Sequence, residues 1–168
     1  MDTPTLRRWS ADDLDLLRSA NTVDMTAHLN GAETEQQLIE RNARYLRLWD
    51  EGEARMFAIE DEASSAVGGI GFWKTEWRDA PALEAGWFVV SEAQGRGIAS
   101  RALLLLIDDA RTHRDGRRML TAFPSQSNAG SNALCRRSGF TLAGTLTETF
   151  RGAELTVNEW VLDLEASR

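Results

Sequence analysis

Phe88-Val89-Val90-Ser91-Glu92-Ala93-Gln94-Gly95-Arg96-Gly97-Ile98-Ala99-Ser100 carries an apolar strand through a glycine-containing turn straight into a long helix. The helix is expected from Ile98 to about His113, with Ala102, Leu105, Leu106 and Ile107 among its apolar positions. Gly95 and Gly97 let the backbone approach an anion closely. The first turn of the helix adds unpaired N–H groups and the positive end of the helix dipole, so the junction suits a phosphate. An ordinary strand-to-helix turn, in which the glycines serve geometry alone, is the alternative reading.

Upstream, Ala82 to Val90 reads as the strand that enters the turn, and Arg118 to Phe123 as the strand that follows the helix. Thr5 to Trp9 makes a first strand. Ser10 with Asp13 then opens a helix to about Ala20, and a second helix runs from about Thr34 to Asp50 with Gly52 as its terminator. Arg55 to Glu60 and Ala66 to Trp77 form the next strands. Asn128 to Arg137 is a short helix closed by Gly139, and Thr141 to Phe150 pairs with Leu155 to Leu164 about Arg151-Gly152. With one strand-helix-strand crossover among meandering strands, the order describes a single α+β (mixed α/β) domain over residues 1–168 with a largely antiparallel sheet. A doubly wound nucleotide fold is excluded, because the G-x-G-x-x-G spacing with a later ribose-binding acid is absent.

The 168 residues, 42% apolar with six Trp and six Phe, suffice for one sizeable core. Met1 to Trp9 lacks a basic head followed by an apolar run, and no stretch approaches the roughly 18 to 20 apolar residues of a membrane span, so a soluble, cytoplasmic protein without membrane partners is expected. One cysteine and two histidines argue against a disulfide framework and against a metal site. A net charge of −7 argues against nucleic acid as a partner. Two local patches stand out: six arginines against four acids between Glu92 and Arg118, and nine acids against four arginines between Glu33 and Glu62.

Gln94-Gly95-Arg96-Gly97-Ile98-Ala99 resembles the Q/R-x-x-G-x-G/A signature of the GCN5-related N-acetyltransferases, the GNAT superfamily. Asn128-Ala129-Gly130-Ser131, in the helix that ends at Gly139-Phe140, resembles a second family signature, and Leu83-Glu84-Ala85-Gly86-Trp87-Phe88-Val89 resembles the strand before the phosphate loop in the branch that acetylates ribosomal-protein N-termini (RimJ/RimL-like). The resemblance implies a central, mostly antiparallel twisted sheet with helices on both faces, splayed at a β-bulge near Val90. It also implies acetyl-CoA as co-substrate, with its pantetheine arm in the opening. Backbone groups of Phe88, Val89 and Val90 would pair with that arm, amides of Gln94, Gly95, Arg96, Gly97, Ile98, Ala99 and Ser100 would hold the pyrophosphate, and Asn128 would bond the arm. As an alternative, Asn128 serves as a helix N-cap.

Acyl transfer to an amine requires removal of the amine proton, stabilisation of an oxyanion, and a partner for the departing thiolate. Glu84 is the first candidate base, since period two places it on one strand face with Gly86, Phe88 and Val90; a solvent-facing Glu84 without catalytic duty is the alternative, and Glu76 is the reserve. A backbone N–H near Val90 would take the oxyanion. For the thiolate, the resemblance points to the position of Cys135, where the family often carries Tyr, or to Ser131; Cys135 also reads as a small core residue. Met25, His28, Leu29, Trp73 and Trp77 fall, by resemblance, where the family's acceptor pocket forms. The implied activity is acetyl transfer from acetyl-CoA to a primary amine, a protein N-terminus or a small molecule, by direct attack in a ternary complex. A catalytically idle acyl-CoA-binding module is the alternative, and the oligomeric state is left open, a homodimer included.

Overall fold

The computed structural model describes residues 2–166 of the chain. Among these residues seven strands, β1 (Thr5–Arg8), β2 (Ala54–Glu60), β3 (Ala66–Trp77), β4 (Ala80–Val89), β5 (Met119–Ala122), β6 (Thr141–Phe150) and β7 (Ala153–Asp163), form one sheet. Their spatial order is β1-β2-β3-β4-β5-β7-β6. Every pair is antiparallel except β4 with β5, which α4 (Ile98–His113) joins as a crossover. Helices α1 (Leu14–Ala20), α2 (Val23–Thr26), α3 (Glu35–Asp50) and α5 (Ala129–Arg137) complete the flanking layers. No helix among the described residues is long and apolar enough to cross a membrane.

Local chemistry accounts for the element ends. Thr34 and Gln37 form a reciprocal capping box at α3, with bonds of 3.2 and 2.8 Å, and Ser10 with Asp13 does the same for the 3₁₀ turn that leads into α1. Helix α2 and the following 3₁₀ turn 27–29 were not read from the sequence: four residues capped by Thr22 are too few for a helical period to show. In α4 the apolar run Ala102–Ile107 hides its own phase, so Leu103 is fully buried while Leu105 is 40% exposed.

The sheet opens between β4 and β5. These strands pair only from Leu83↔Leu120 to Ala85↔Ala122, where buried Thr121 Oγ1 donates to Leu83 C=O at 2.9 Å. Beyond Ala122 the chain turns away through Pro124, which has no N–H for a further ladder bond, whereas β4 continues to Val89 on β3. The splay therefore forms without the expected bulge in β4. Its register with β3 is unbroken from Trp77↔Ala80 to Gly68↔Val89, and the register shifts lie at Ile59/Glu60 and Leu142/Gly144.

The charge patches read from the sequence largely cancel in three dimensions. Arg96 pairs with Asp2 and Asp61, Arg114 with Glu165, and Arg118 with Asp163, while Glu33 meets Arg41 and Arg151 and Glu60 meets Arg7. These half-exposed pairs stabilise modestly at most individually, but they remove the local fields that the linear charge pattern suggests.

Close approach of β2 and β3 requires glycine at Gly71. A Cβ there would lie 2.5 Å from Arg55 O and 2.9 Å from Met56 Cα, both backbone atoms of the partner strand. Gly71→Ala is expected to destabilise the fold by about 1–3 kcal/mol, the usual range for overpacking, read as a lower urea midpoint with unchanged m-value.

Candidate active site

A cavity of about 590 Å³ occupies the opening between β4 and β5. Its walls come from Glu84–Val89 of β4, the end of β5 and the residues that follow it (122–125), α5 with Asn128 just before it, and the segment Asp24–Leu29.

Strand alternation decides which β4 backbone groups reach the cavity. Val90 N–H donates to Val67 C=O at 2.8 Å, so even-numbered residues at this end of β4 direct their amides toward β3. Trp87 and Val89 direct theirs the other way, where β5 no longer runs. Val89 C=O is taken by the Gln94 side chain, Nε2 to O 2.9 Å, which leaves Trp87 N–H and C=O and Val89 N–H facing the opening. This corrects the expectation for the backbone of Phe88 and Val90: their main-chain groups serve the sheet, and near Val90 the amide that faces the opening is that of Val89. Phe88 still borders the cavity, whereas Val90 does not.

The glycine turn adopts the conformation its residues permit. Gly95 and Gly97 have φ of 79° and 76°, and the first helical bond of α4 runs from Arg101 N–H to Gly97 C=O at 3.3 Å, so the first-turn amides Ile98, Ala99 and Ser100 have no intrahelical acceptor. Gln94 differs, since its amide donates to Ser91 C=O at 3.3 Å and its side chain ties down Val89. Arg96 turns its guanidinium to Asp2 and Asp61, and the Ile98 side chain is 1% exposed in the core, so these two residues offer backbone only. Gln94 and Ala99 border the cavity, while Gly95, Arg96 and Gly97 border a shallower hollow with Asp2 and Glu62. Arg137 was not singled out in the sequence. It borders the cavity and donates to Ser100 Oγ at 3.2 Å, which brings a cation to the start of α4. Its signal was masked, because a basic residue in the last turn of a helix reads as a complement to the dipole.

Glu84 borders the cavity beside Trp73 of β3, its register partner, whose ring fits because Gly86 has no side chain: a Cβ there would lie 2.9 Å from Trp73 Cη2. Burial, reinforced by the nearby carboxylate of Glu148, pushes the Glu84 carboxyl up to about 7. Ser131 lies across the strand. Trp87, of the opposite parity to Glu84, directs its indole N–H to Ser131 Oγ at 3.3 Å, and Ser131 also borders the cavity. Asn128 performs the cap with its oxygen alone, accepting from Ser131 N–H at 3.1 Å, and its Nδ2 is left for another acceptor. The cap therefore leaves the other duty set against it in the sequence open to a different atom.

Cys135 is corrected. It is fully buried, it does not border the cavity, and burial pushes its thiol up to about 12, so it belongs to the core rather than to a proton-donating position. Glu76 and Trp77 do not border the cavity either; Trp77 donates instead to Glu159 at 3.3 Å. Met25, His28, Leu29 and Trp73 do, and His28 Nδ1 is held 2.8 Å from Ser127 Oγ.

A family model for the acetyltransferase (GNAT) domain matches residues 5–141. Among solved structures, the chain is similar to the Salmonella typhimurium acetyltransferase that modifies the N-terminal serine of ribosomal protein L7/L12, with TM-score 0.79, 23% identity and coverage of 96% of this chain and 95% of that one. An N-acetyltransferase from Staphylococcus aureus Mu50 gives TM-score 0.76 and 28% identity, covering 96% and 99%. A spermidine N-acetyltransferase from Vibrio cholerae, in complex with CoA and spermine, gives 0.78 and 20%, covering 96% of each chain. No curated protein sequence matches the chain.

The raised Glu84 carboxyl has a signed effect on stability. A group protonated more readily in the fold than in the unfolded chain contributes stability that is fully present below its ordinary value of 4.5 and is lost as pH rises through about 7. Glu84→Gln, which never ionises, escapes that loss. Its melting temperature is expected to exceed the wild type's at pH 8, with the gap closing toward pH 4.5; a gap independent of pH contradicts the shift.

Proposed function

The chain belongs to the GNAT family of acetyltransferases, and on that premise we propose that it transfers the acetyl group of acetyl-CoA to a primary amine by direct attack in a ternary complex. The observation that carries this reading is Glu84: a half-buried carboxyl raised to about 7, bordering the same cavity as the free β4 edge and Ser131. A base with a pKa near the working pH combines a useful ionised fraction with enough basicity to take the proton that a free amine's nitrogen sheds as it becomes an amide.

Each residue then has one task. The free amides of Ile98, Ala99 and Ser100, with Arg137, suit the pyrophosphate, and Trp87 with Asn128 Nδ2 suits the amide groups of the pantetheine arm. Val89 N–H, at the end of that exposed edge, suits the thioester oxygen, where negative charge develops during attack. Glu84 takes the amine proton from one face of the sheet, and Ser131 offers its hydroxyl to the departing sulfur from the other. Cys135 has no part.

The acceptor side is lined by Asp24, Met25, His28 and Trp73 as well as Glu84. Protein N-termini and small amines are both acceptors of similar folds, as the L7/L12 and spermidine enzymes illustrate. A CoA-release assay over N-terminal peptides, polyamines and aminoglycosides tests the reading. Absence of turnover with every amine, together with tight acetyl-CoA binding, favours a catalytically idle acyl-CoA-binding module instead.

With an accepted amine, kcat/KM is expected to rise with pH through about 7 as Glu84 ionises. Glu84→Gln should abolish that limb and lower kcat by about 10²–10⁴, the usual contribution of a positioned base, with the calorimetric acetyl-CoA affinity unchanged. An unchanged kcat removes Glu84 from the mechanism.

A further inference from the structure

Trp87 sits on β4 two residues beyond the last pair with β5, on the strand face shared with buried Leu83, Ala85 and Val89. Its indole Nε1 is 3.3 Å from Ser131 Oγ, and both residues border the cavity. An indole N–H only donates, so the direction of this bond is settled by chemistry: Trp87 gives, and Ser131 accepts through a lone pair.

A hydroxyl in the first turn of a helix ordinarily has a second outlet, donation to a backbone carbonyl three or four residues back. That outlet is closed three residues back. Asn128 C=O already accepts from Asn132 N–H at 3.1 Å and from Asn132 Nδ2 at 2.8 Å, which fills both of its lone pairs. Ser127 C=O, four residues back, already accepts from Ala129 N–H at 3.1 Å, so with its oxygen engaged by Trp87 the Ser131 hydroxyl, which borders the cavity, can turn its proton into it.

We infer that Trp87 is a positioning residue, whose indole N–H fixes the Ser131 hydroxyl so that its proton meets the sulfur of the departing thiolate. The inference rests on the acetyl-transfer reading. In the step concerned, the C–N bond forms and the C–S bond breaks, the electron pair leaves with sulfur, and the amine proton goes to Glu84. Ser131 O–H donates a hydrogen bond to the sulfur as its charge grows, and the thiol takes its proton from solvent on release. A donor feeding the Ser131 oxygen polarises the hydroxyl and strengthens the bond that hydroxyl gives.

The test combines kinetics with a direct view of the bond. Trp87→Phe keeps an aromatic ring and removes the N–H; it is expected to lower kcat about five- to tenfold, the usual value of one such hydrogen bond, with KM for acetyl-CoA within about twofold. In a Ser131→Ala background the same substitution should cost nothing, because the group it acts through is gone. Equal losses in both backgrounds, or a loss confined to KM, overturn the inference and leave Trp87 as packing. A Ser131→Ala variant with wild-type kcat instead overturns the role of Ser131, and the inference falls with it. Independently of turnover, one of the six tryptophan indole N–H resonances should shift when Ser131 becomes Ala, and it should be the one missing from Trp87→Phe. If no indole resonance moves, the bond is absent in solution and the inference fails.

Discussion

Everything at the site depends on the parallel pairing of β4 and β5 ending after Ala85↔Ala122. A backbone amide in a sheet must find a partner, and a strand that loses its neighbour midway keeps a row of directed N–H and C=O groups with no protein to meet. Here that row is short, because alternation turns the intervening residues toward β3 and Gln94 takes Val89 C=O. The exposed row has the donors and acceptors that a peptide-like ligand arm could complete. Thr121, donating to Leu83 C=O at the fork, makes the point of divergence definite.

The same opening places chemistry on both sides of one strand. Glu84 and Trp87 differ in parity, so they project to opposite faces, yet both border the cavity because the gap passes between β4 and the chain after β5. In the proposed reaction, Glu84 and Ser131 would thus reach the incoming nitrogen and the leaving sulfur without competing for space. Helix α5 fixes the second of these groups. Its Asn128 cap holds the Ser131 amide, and Asn132 anchors the helix to β7 by accepting from Asn158 and Trp160, each at 2.8 Å.

Most of this was legible in the chain, and the parts that were not share a cause. The bounds of β3, α4 and β6 follow from periodicity and terminators, since each is long enough to show its period. Helix α2 is too short for that, and the position of β7 between β5 and β6 is a pairing choice that no local pattern encodes. That Glu84, Asn128 and Ser131 border the cavity was readable because motif and strand parity bear directly on side chains. The distinction between Val89 and Val90 was not, because it depends on which face of β4 bonds to β3. Cys135 occupied a motif position, yet only the packing of α5 shows that its thiol is enclosed. Trp87 and Arg137 were missed because their partners, Ser131 and Ser100, lie 44 and 37 residues away in sequence.

A protein of net charge −7 that receives a polyanionic ligand must create its attraction locally. The arginines around the glycine turn do not supply it freely: Arg96 is held by Asp2 and Asp61, and Arg101 donates to Thr3. The remaining attraction comes from the oriented amides at the start of α4 and from Arg137, whose carboxylate-free partner is Ser100. Amide dipoles have fixed direction and no counterion, so they favour an anion at one position without drawing nucleic acid to the surface. The acidic overall charge and the phosphate-binding turn are therefore compatible, because one acts over the whole surface and the other over a single helical turn.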